Sequence, residues 1–367
     1  MSCFRMQRAF VFGLAFFVWA TLPIFHVGID VRAQQSNAAA LASDEREEAI
    51  KLYTAGETKK AVEALRAVVK NRKDDADAWY YLGLALNRNA DAKNARKAFE
   101  TSIKLRPNFA NAHTGFAYTL LLANKLNDAV REAEQALRLD AQNAEAHYII
   151  SVVRLREHAS SKALAEADAA LRVNANFAPA LLVKSQALIS EIGEKHAAAS
   201  SNNTQTQTTP LSADERKERR LKQATRYAEA AKSLEAFLKL TPDAANAETW
   251  REQLQALHIY AEAADKPEAE RTIFSPDEVT TKAQILKKPE AQYTEAARQN
   301  DVNGAVLLRV VLAADGTVKH ILALQSLSNG LTEQTIKAAR QIKFIPATKD
   351  NHPVSTSVMI EYEFHLY

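Results

Sequence analysis

Two kinds of hydrophobic periodicity divide this chain. From Ser43 to about Ala264 the apolar positions recur with the three-to-four-residue spacing of amphipathic helices. From Ala305 onward the apolar residues alternate at every second position, which is the pattern of strands with one buried face. The change of period predicts a multidomain protein in which an all-α array, residues 43–264, is followed by a small α+β module, residues 288–367.

The helical part repeats roughly every 34 residues. A small residue recurs at one position of the repeat, at Ala61, Ala95, Ala129 and Ala163. A small side chain there lets two helices approach closely, as stacked helical hairpins require. In the unit that starts at Ala76, the other marked positions are Trp79, Leu82, Gly83, Phe99 and Pro107.

The repeat pattern changes toward the end of the array. Residues 195–212 are rich in polar amino acids and have no apolar period, which predicts an insertion. Ser212 and Glu215 have the spacing of a capping box and predict the start of a new helix. Ala247 to Ala264 is expected to cap the array, and the charged, proline-containing segment 265–287 to be a linker.

This array resembles the tetratricopeptide repeat (TPR) family. In that family the first helix of each pair lines a concave groove that binds partner peptides. Tyrosines in such a groove anchor a peptide and arginines meet its carboxylates, whereas the alternative is the solvated inner surface of a spacer. The resemblance implies the groove residues Tyr80, Asn87, Arg88, Tyr118, Leu122, Tyr148 and Arg156.

The module consists of three alternating segments and a helix. Val306, Leu308, Val310 and Leu312 share one face of the first strand, and Asp315-Gly316 predicts a two-residue hairpin turn. The second strand, 317–325, is expected to carry Val318, His320, Leu322 and Leu324 on one face. A helix over 331–342 and a last strand over 354–366 complete a three-stranded antiparallel sheet with one packed helix.

The module also contains a set of short sequence pieces at characteristic separations. They are Tyr293-xx-Ala296-Ala297-Arg298, Asn303-Gly304-Ala305-Val306-xx-Arg309-Val310, Asp315-Gly316-x-Val318, Ala338-Ala339-Arg340 and Phe344-x-Pro346-Ala347. With these pieces, residues 288–364 resemble the TonB C-terminal domain family. That domain lies in the periplasm and binds a segment of an outer-membrane transporter, which adds as a strand beside the last strand of the sheet. The resemblance therefore implies a binding edge over 355–364, with Ser355, Ser357, Met359, Glu361 and Glu363 as its residues.

The chain departs from that family in a local turn, in the membrane anchor and in the spacer. Thr294 stands where the family commonly has proline. The family's membrane anchor carries a serine and a histidine four residues apart, but here His26 has Leu22 four positions before it. A proline-rich spacer is also missing, so coupling to a proton-driven motor is left open.

The N-terminus predicts the location of the chain. Arg5 and Arg8 precede an apolar stretch, and Ala33 closes a short segment typical of a cleavage site. We expect a signal peptide over 1–33 or, alternatively, an inner-membrane anchor over residues 9–29. Because the arginines stay on the cytoplasmic side, both alternatives place the rest of the chain in the periplasm.

Composition and motifs exclude several functions. A formal net charge of +3 over 367 residues gives no basic stripe of the kind that binds nucleic acid. Cys3 is the only cysteine, which rules out an intramolecular disulfide and a cysteine metal site. No phosphate loop, dinucleotide fingerprint or hydrolase motif occurs, so we expect neither an enzyme nor a cofactor.

These observations predict a cell-envelope protein that binds proteins or peptides. The partners implied by the resemblance are an outer-membrane transporter and inner-membrane motor proteins, with energy transduction to transport as the finer hypothesis. The alternative is a TPR scaffold for an envelope complex whose terminal module serves for homodimerisation or anchoring. His113 and His147 occupy a large-residue position of the repeat and are expected to be packing residues, not metal ligands.

Overall fold

The structure is a computed structural model that describes residues 44–201, 212–244, 246–266 and 270–366. The predicted signal or anchor segment and residues 202–211 of the predicted insertion lie outside the described residues. Within the described ranges, no helix is both long enough and apolar enough to cross a membrane.

The solenoid contains eleven helices in the described part of the chain, and each packs on the next. The helices α3, α5, α7 and α9 begin at alanines one repeat apart, and α4, α6 and α8 keep the same spacing, which confirms the repeat register. The helices are α1 (44–54), α2 (Thr58–Asn71), α3 (Ala76–Arg88), α4 (Ala92–Leu105), α5 (Ala110–Leu122), α6 (Leu126–Leu139), α7 (Ala144–Arg156), α8 (Ser160–Val173), α9 (Ala178–Ser201), α10 (Ala213–Leu240) and α11 (Ala247–Asp265).

Small side chains let these helices pack closely. Ala61, Ala95, Ala129 and Ala163 are all completely buried, as the repeat pattern predicted. The ring of Phe99 on α4 packs directly against Gly83 on α3. A Cβ added to Gly83 would lie only 2.7 Å from the Phe99 Cζ atom.

The last two repeat helices are longer than the others. α9 has 24 residues and α10 has 28, against 13 or 14 in α2 to α8. The predicted capping box begins α10: Ser212 Oγ accepts from the Glu215 backbone N at 3.2 Å, and the Glu215 carboxylate accepts from the Ser212 backbone N at 2.8 Å. This confirms that a new helix starts there.

The terminal module is built around an antiparallel sheet. Its central strands follow the order β7–β3–β4, which confirms the predicted three-stranded core, and β1 and β6 both pair with β7. A separate two-stranded ladder joins β2 to β5. The elements are β1 (Ile273–Phe274), β2 (Gln284–Lys287), α12 (Glu295–Gln299), β3 (Gly304–Leu312), β4 (Val318–Gln325), α13 (Leu331–Ala339), β5 (Lys343–Ile345), β6 (Ala347–Lys349) and β7 (His352–Phe364).

Both faces of the sheet are covered. The face that carries Val306, Leu308 and Val310 packs with α13, as predicted. The opposite face, with Val311 and Met359, packs against the last solenoid helices around Tyr227 and Leu257. The solenoid and the sheet therefore share a hydrophobic core.

The expectation that Val318, His320, Leu322 and Leu324 share one face of β4 is wrong. Val318 packs on the α13 side, whereas Leu322 and Leu324 pack on the solenoid side. A register shift opposite Arg309–Val311 inserts an extra residue, and His320 takes a positive φ of 49° there. An extra residue in one strand moves every following side chain to the other face.

Two turn predictions are changed in detail. The β3–β4 loop has three residues rather than two, because Ala313 N donates to Thr317 O at 2.9 Å around Gly316, whose φ is +81°. At the position where the TonB family has proline, Thr294 Oγ1 accepts from Ala297 N at 3.1 Å and caps α12. A hydroxyl cap thus starts this short helix.

We expect Gly115→Ala to destabilise the solenoid by about 1–3 kcal/mol, because its new methyl group would overlap the Phe99 ring. Urea unfolding followed by circular dichroism measures the change. The double variant Gly115→Ala/Phe99→Leu should lose less stability than the sum of the two single changes, since the smaller leucine makes room. Strict additivity would contradict this account of the contact.

A second prediction concerns the His113–Glu132 pair between α5 and α6. His113 Nδ1 lies 2.8 Å from the Glu132 carboxylate and Nε2 lies 3.0 Å from the Pro107 carbonyl, so only the doubly protonated ring donates to both acceptors. The hydrogen bond to Glu132 raises the pKa of His113 above its ordinary value, although burial and Arg138 oppose the rise.

The stabilisation from this pair is therefore complete below about pH 6.5, the ordinary pKa of histidine, and is lost as the pH rises through the raised pKa. We expect His113→Gln to cost roughly 1–2 kcal/mol at pH 5.5 and less at pH 9. Unfolding of the wild type and of Glu132→Gln across this range provides the check. A cost of His113→Gln that keeps the same pH dependence in the Glu132→Gln background would contradict the assignment.

Candidate partner-binding surfaces

The outer side of β7 is divided into a closed part and an open part. Its inner side pairs with β3 along Thr356–Phe364. On the outer side, β1 pairs in parallel with Ser355 and Thr356, and before them β6 pairs with 352–354. From Ser357 to Phe364, no strand of the described chain lies on the outer side.

β1 belongs to the segment predicted as a linker, and charged contacts fix it to the solenoid. Glu278 Oε1 accepts from Arg220 on α10 at 2.9 Å and from Arg271 at 2.6 Å. Its second oxygen accepts from the backbone and hydroxyl of Ser275 at 2.9 and 2.8 Å. These contacts hold β1 against the first part of the predicted binding edge.

The five predicted edge residues have different surroundings. Ser355 Oγ accepts from Ala314 N at 3.1 Å, and Ser357 Oγ accepts from Arg309 Nε at 2.8 Å. Met359 packs against the shared core, whereas Glu361 and Glu363 are exposed. Only the last two of these side chains are therefore open to a partner, although a strand partner would pair with the backbone.

The backbone at Glu361 faces away from β3. Its carbonyl oxygen accepts from Lys288 Nζ at 3.1 Å, and the same ammonium lies 4.9 Å from the centre of the Tyr362 ring. In an antiparallel strand the N–H and C=O of one residue point to the same side. The N–H of Glu361 is therefore also directed away from β3, toward the outer side.

The other edge of the sheet, along β4, is closed by α11. The Gln253 side-chain amide donates to Ile321 O and accepts from Ala323 N, both at 3.0 Å, as a neighbouring strand would. Tyr260 donates to His320 O at 2.7 Å. β7 therefore carries the edge that remains for strand addition.

Arg309 connects the sheet to α10 and α11. Its guanidinium donates to the Tyr227 hydroxyl at 2.5 Å and lies 5.1 Å from the centre of the Tyr260 ring. Together with the bond to Ser357, these contacts satisfy a partly buried cation through hydroxyls and aromatic faces. The arginine of the TonB-like motif thus positions the module on the solenoid.

A second surface is a cleft of about 930 Å³ between the concave side of the solenoid and the module. The solenoid wall comes from α5, α6, α7, α9, α10 and α11, including Leu122, Tyr148 and Arg156. The module wall comes from residues 300–303 and 325–333. The cleft is therefore a composite of both domains.

The predicted groove residues fall into two groups. Leu122, Tyr148 and Arg156 line the cleft, and Leu122 is 55% exposed. The others lie outside the cleft: Tyr118 is exposed on α5, Tyr80 stacks 5.0 Å from Phe109, Asn87 bonds to Thr119, and Arg88 donates to Tyr53 O at 2.8 Å.

The module wall of the cleft was missed by sequence reasoning. It is formed by loop residues such as Asn303, Ser326 and Asn329, which carry no periodicity and no motif for a groove. Their position follows only from the docking of the sheet on α9–α11. Asp301 and Glu333 add carboxylates to this wall, and Arg156 adds a guanidinium from the solenoid.

The fold and these surfaces define a class of protein: a helical-repeat solenoid joined to a small α+β module with one open sheet edge. Residues 289–366 match the family described as Gram-negative bacterial TonB protein C-terminal, and residues 46–110 match the tetratricopeptide repeat family. The chain thus carries TPR repeats followed by a TonB C-terminal domain, which confirms both resemblances. Both are protein-interaction modules, so protein–protein interaction is the class of function they support.

Several solved TPR structures are similar over the solenoid. TTC0263 of Thermus thermophilus is 14% identical, over 59% of this chain and 99% of its own, with a TM-score of 0.43. MamA of Desulfovibrio magneticus is 20% identical, over 43% and 89%, with a TM-score of 0.38. YrrB, described as a TPR protein with an unusual peptide-binding site, is 18% identical, over 56% and 100%, with a TM-score of 0.34. No curated protein matches the chain.

We expect Gln253→Leu to weaken the packing of α11 against the edge of β4. The change leaves Ile321 O and Ala323 N without partners, and each buried orphan group costs about 1–3 kcal/mol. Hydrogen exchange followed by mass spectrometry should show faster exchange in the peptide that contains Ala323. Gln255→Leu, an exposed change on the same helix, is the matched control and should leave that exchange unchanged.

Proposed function

We propose that this protein binds a partner segment as an added strand along the outer side of β7, from Ser357 to Phe364. The observation that carries the proposal is the pairing of this stretch with β3 on one side only. An unpaired strand edge offers backbone donors and acceptors that an extended peptide completes. The exposed Glu361 and Glu363 side chains flank this edge.

The closed β4 edge supports the choice of β7. Gln253 and Tyr260 already occupy the backbone groups of β4, so a partner strand there would have to detach α11. At β7, by contrast, the described contact to be displaced is the hydrogen bond from Lys288 to Glu361. Strand addition at β7 therefore leaves the shared core intact.

The cleft is proposed as a second contact for protein partners. Its lining combines apolar and polar side chains, which suits an extended peptide, and Leu122 and Tyr148 supply exposed and half-buried anchors. Because both domains contribute to the cleft, a peptide there would contact the solenoid and the module together.

We further propose that the protein works in the periplasm, with an outer-membrane transporter as its strand partner. The N-terminal arginines and the apolar stretch over 9–29 support this location, and the TonB C-terminal domain supports the partner. Energy transduction through inner-membrane motor proteins is the finer hypothesis. The missing Ser–His pair in the N-terminal segment is the feature that argues against it.

The test is hydrogen exchange of residues 34–367, which contain every described element, with a synthetic periplasmic segment of an outer-membrane transporter. Peptide binding should slow exchange within 357–364 and leave β4 unchanged, since strand addition protects the outward amides. Glu361→Pro should weaken binding at least about tenfold, because it removes one outward N–H and blocks close approach of the added strand. Glu361→Ala is the matched control and should bind normally.

Two outcomes would contradict the proposal that a partner peptide adds as a strand at β7. Protection in 357–364 without any peptide, together with a dimer in sedimentation that Glu361→Pro dissociates, would show that the edge pairs with a second copy, as the scaffold alternative requires. Equal peptide binding by Glu361→Pro and Glu361→Ala would contradict strand addition at β7.

A further inference from the structure

The β2–β5 ladder presents a cluster of exposed apolar side chains. Leu286 is 61% exposed, Ile345 is 51% exposed and Ile285 is 41% exposed. Leu286 is the most exposed large apolar side chain in the described chain. A concentration of such residues in one short ladder is typical of a contact surface.

The same ladder places two lysines opposite each other. Lys287 and Lys343 are direct partners across the strands, and like charges at opposite positions destabilise a sheet. Within the described residues, no carboxylate lies at ion-pairing distance from either ammonium, nor from the neighbouring Lys282. An external anion would therefore remove a repulsion that the protein itself leaves in place.

Lysines on an edge strand also prevent pairing between copies, which is the simplest explanation for them. That role does not require Leu286 and Ile345 to stand open to water beside them. Exposed apolar side chains next to lysines are instead the composition of surfaces that lie on anionic membranes.

The position of the ladder leaves it accessible to a large flat surface. Phe344 of the ladder, and Ala283 just before β2, pack into the core on the α13 side of the sheet. The solenoid packs on the opposite face, around Val311 and Met359. None of the exposed ladder residues lines the cleft, so the ladder offers an open face rather than a groove for a peptide.

We propose that the β2–β5 ladder docks the module on a membrane surface that contains anionic phospholipids. Lys287 and Lys343 meet the phosphates, and Leu286 and Ile345 enter the headgroup region. Each lysine near an anionic surface strengthens binding roughly fivefold, so this surface gives a weak attachment that adds to any other. The proposal is independent of strand addition at β7, since the two surfaces use different residues.

Vesicle sedimentation with residues 34–367 tests the proposal without the N-terminal apolar stretch. Vesicles that contain phosphatidylglycerol should bind the protein, vesicles of phosphatidylcholine alone should not, and added salt should weaken binding. The double variant Lys287→Glu/Lys343→Glu should lose roughly 25-fold or more in partition. Leu286→Ser should also lose binding, which a purely electrostatic attraction would not predict.

Matched controls separate the ladder from general charge. Lys97→Glu/Lys104→Glu on α4 changes the net charge equally, and Leu240→Ser removes another exposed leucine; both should bind as the wild type does. Equal binding to both kinds of vesicle, or unchanged binding by Lys287→Glu/Lys343→Glu, would overturn the proposal. Binding of a polyglutamate peptide without vesicle binding would also overturn it and assign the ladder to an acidic polypeptide.

Discussion

The structure depends on the packing of one sheet face against the end of the solenoid. α13 covers only one side of the sheet, while Leu307, Val311 and Met359 make the other side apolar as well. The last helices of a repeat array likewise have an apolar face without a following repeat to cover it. Each of these two faces buries the other, so the module caps the end of the solenoid, and α9, α10 and α11 all contact the sheet.

This docking decides which surfaces remain for partners. It places Gln253 and Tyr260 along β4 and closes that edge. It brings Arg220 to Glu278, which holds β1 on the first residues of the β7 edge. It also turns an open concave groove into a cleft with two walls. The free stretch of β7 and the cleft are thus consequences of a single interface between the domains.

Some parts of this arrangement were predictable because they depend on local rules. The buried Ala61 and Ala95 follow from the repeat, the Ser212 cap follows from its spacing to Glu215, and the buried face of β7 follows from strict alternation. The faces of β4 were not predictable in the same way. A bulge at His320 reverses the alternation, and nothing in the strand's own sequence marks the position where the extra residue is accommodated.

The sequence alone determined the helical array, its repeat register and the small sheet module that follows it, since these follow from periodicity, turn chemistry and family motifs. It also predicted the last strand as a binding edge. The tertiary structure decided which part of β7 is open, which groove residues face the cleft, and that the linker segment joins the sheet. Those outcomes depend on contacts between residues far apart in sequence, such as Arg309 with Tyr227 and Gln253 with Ile321. A local sequence pattern indicates that a side chain will be buried or hydrogen-bonded, but the tertiary packing determines which residues it contacts.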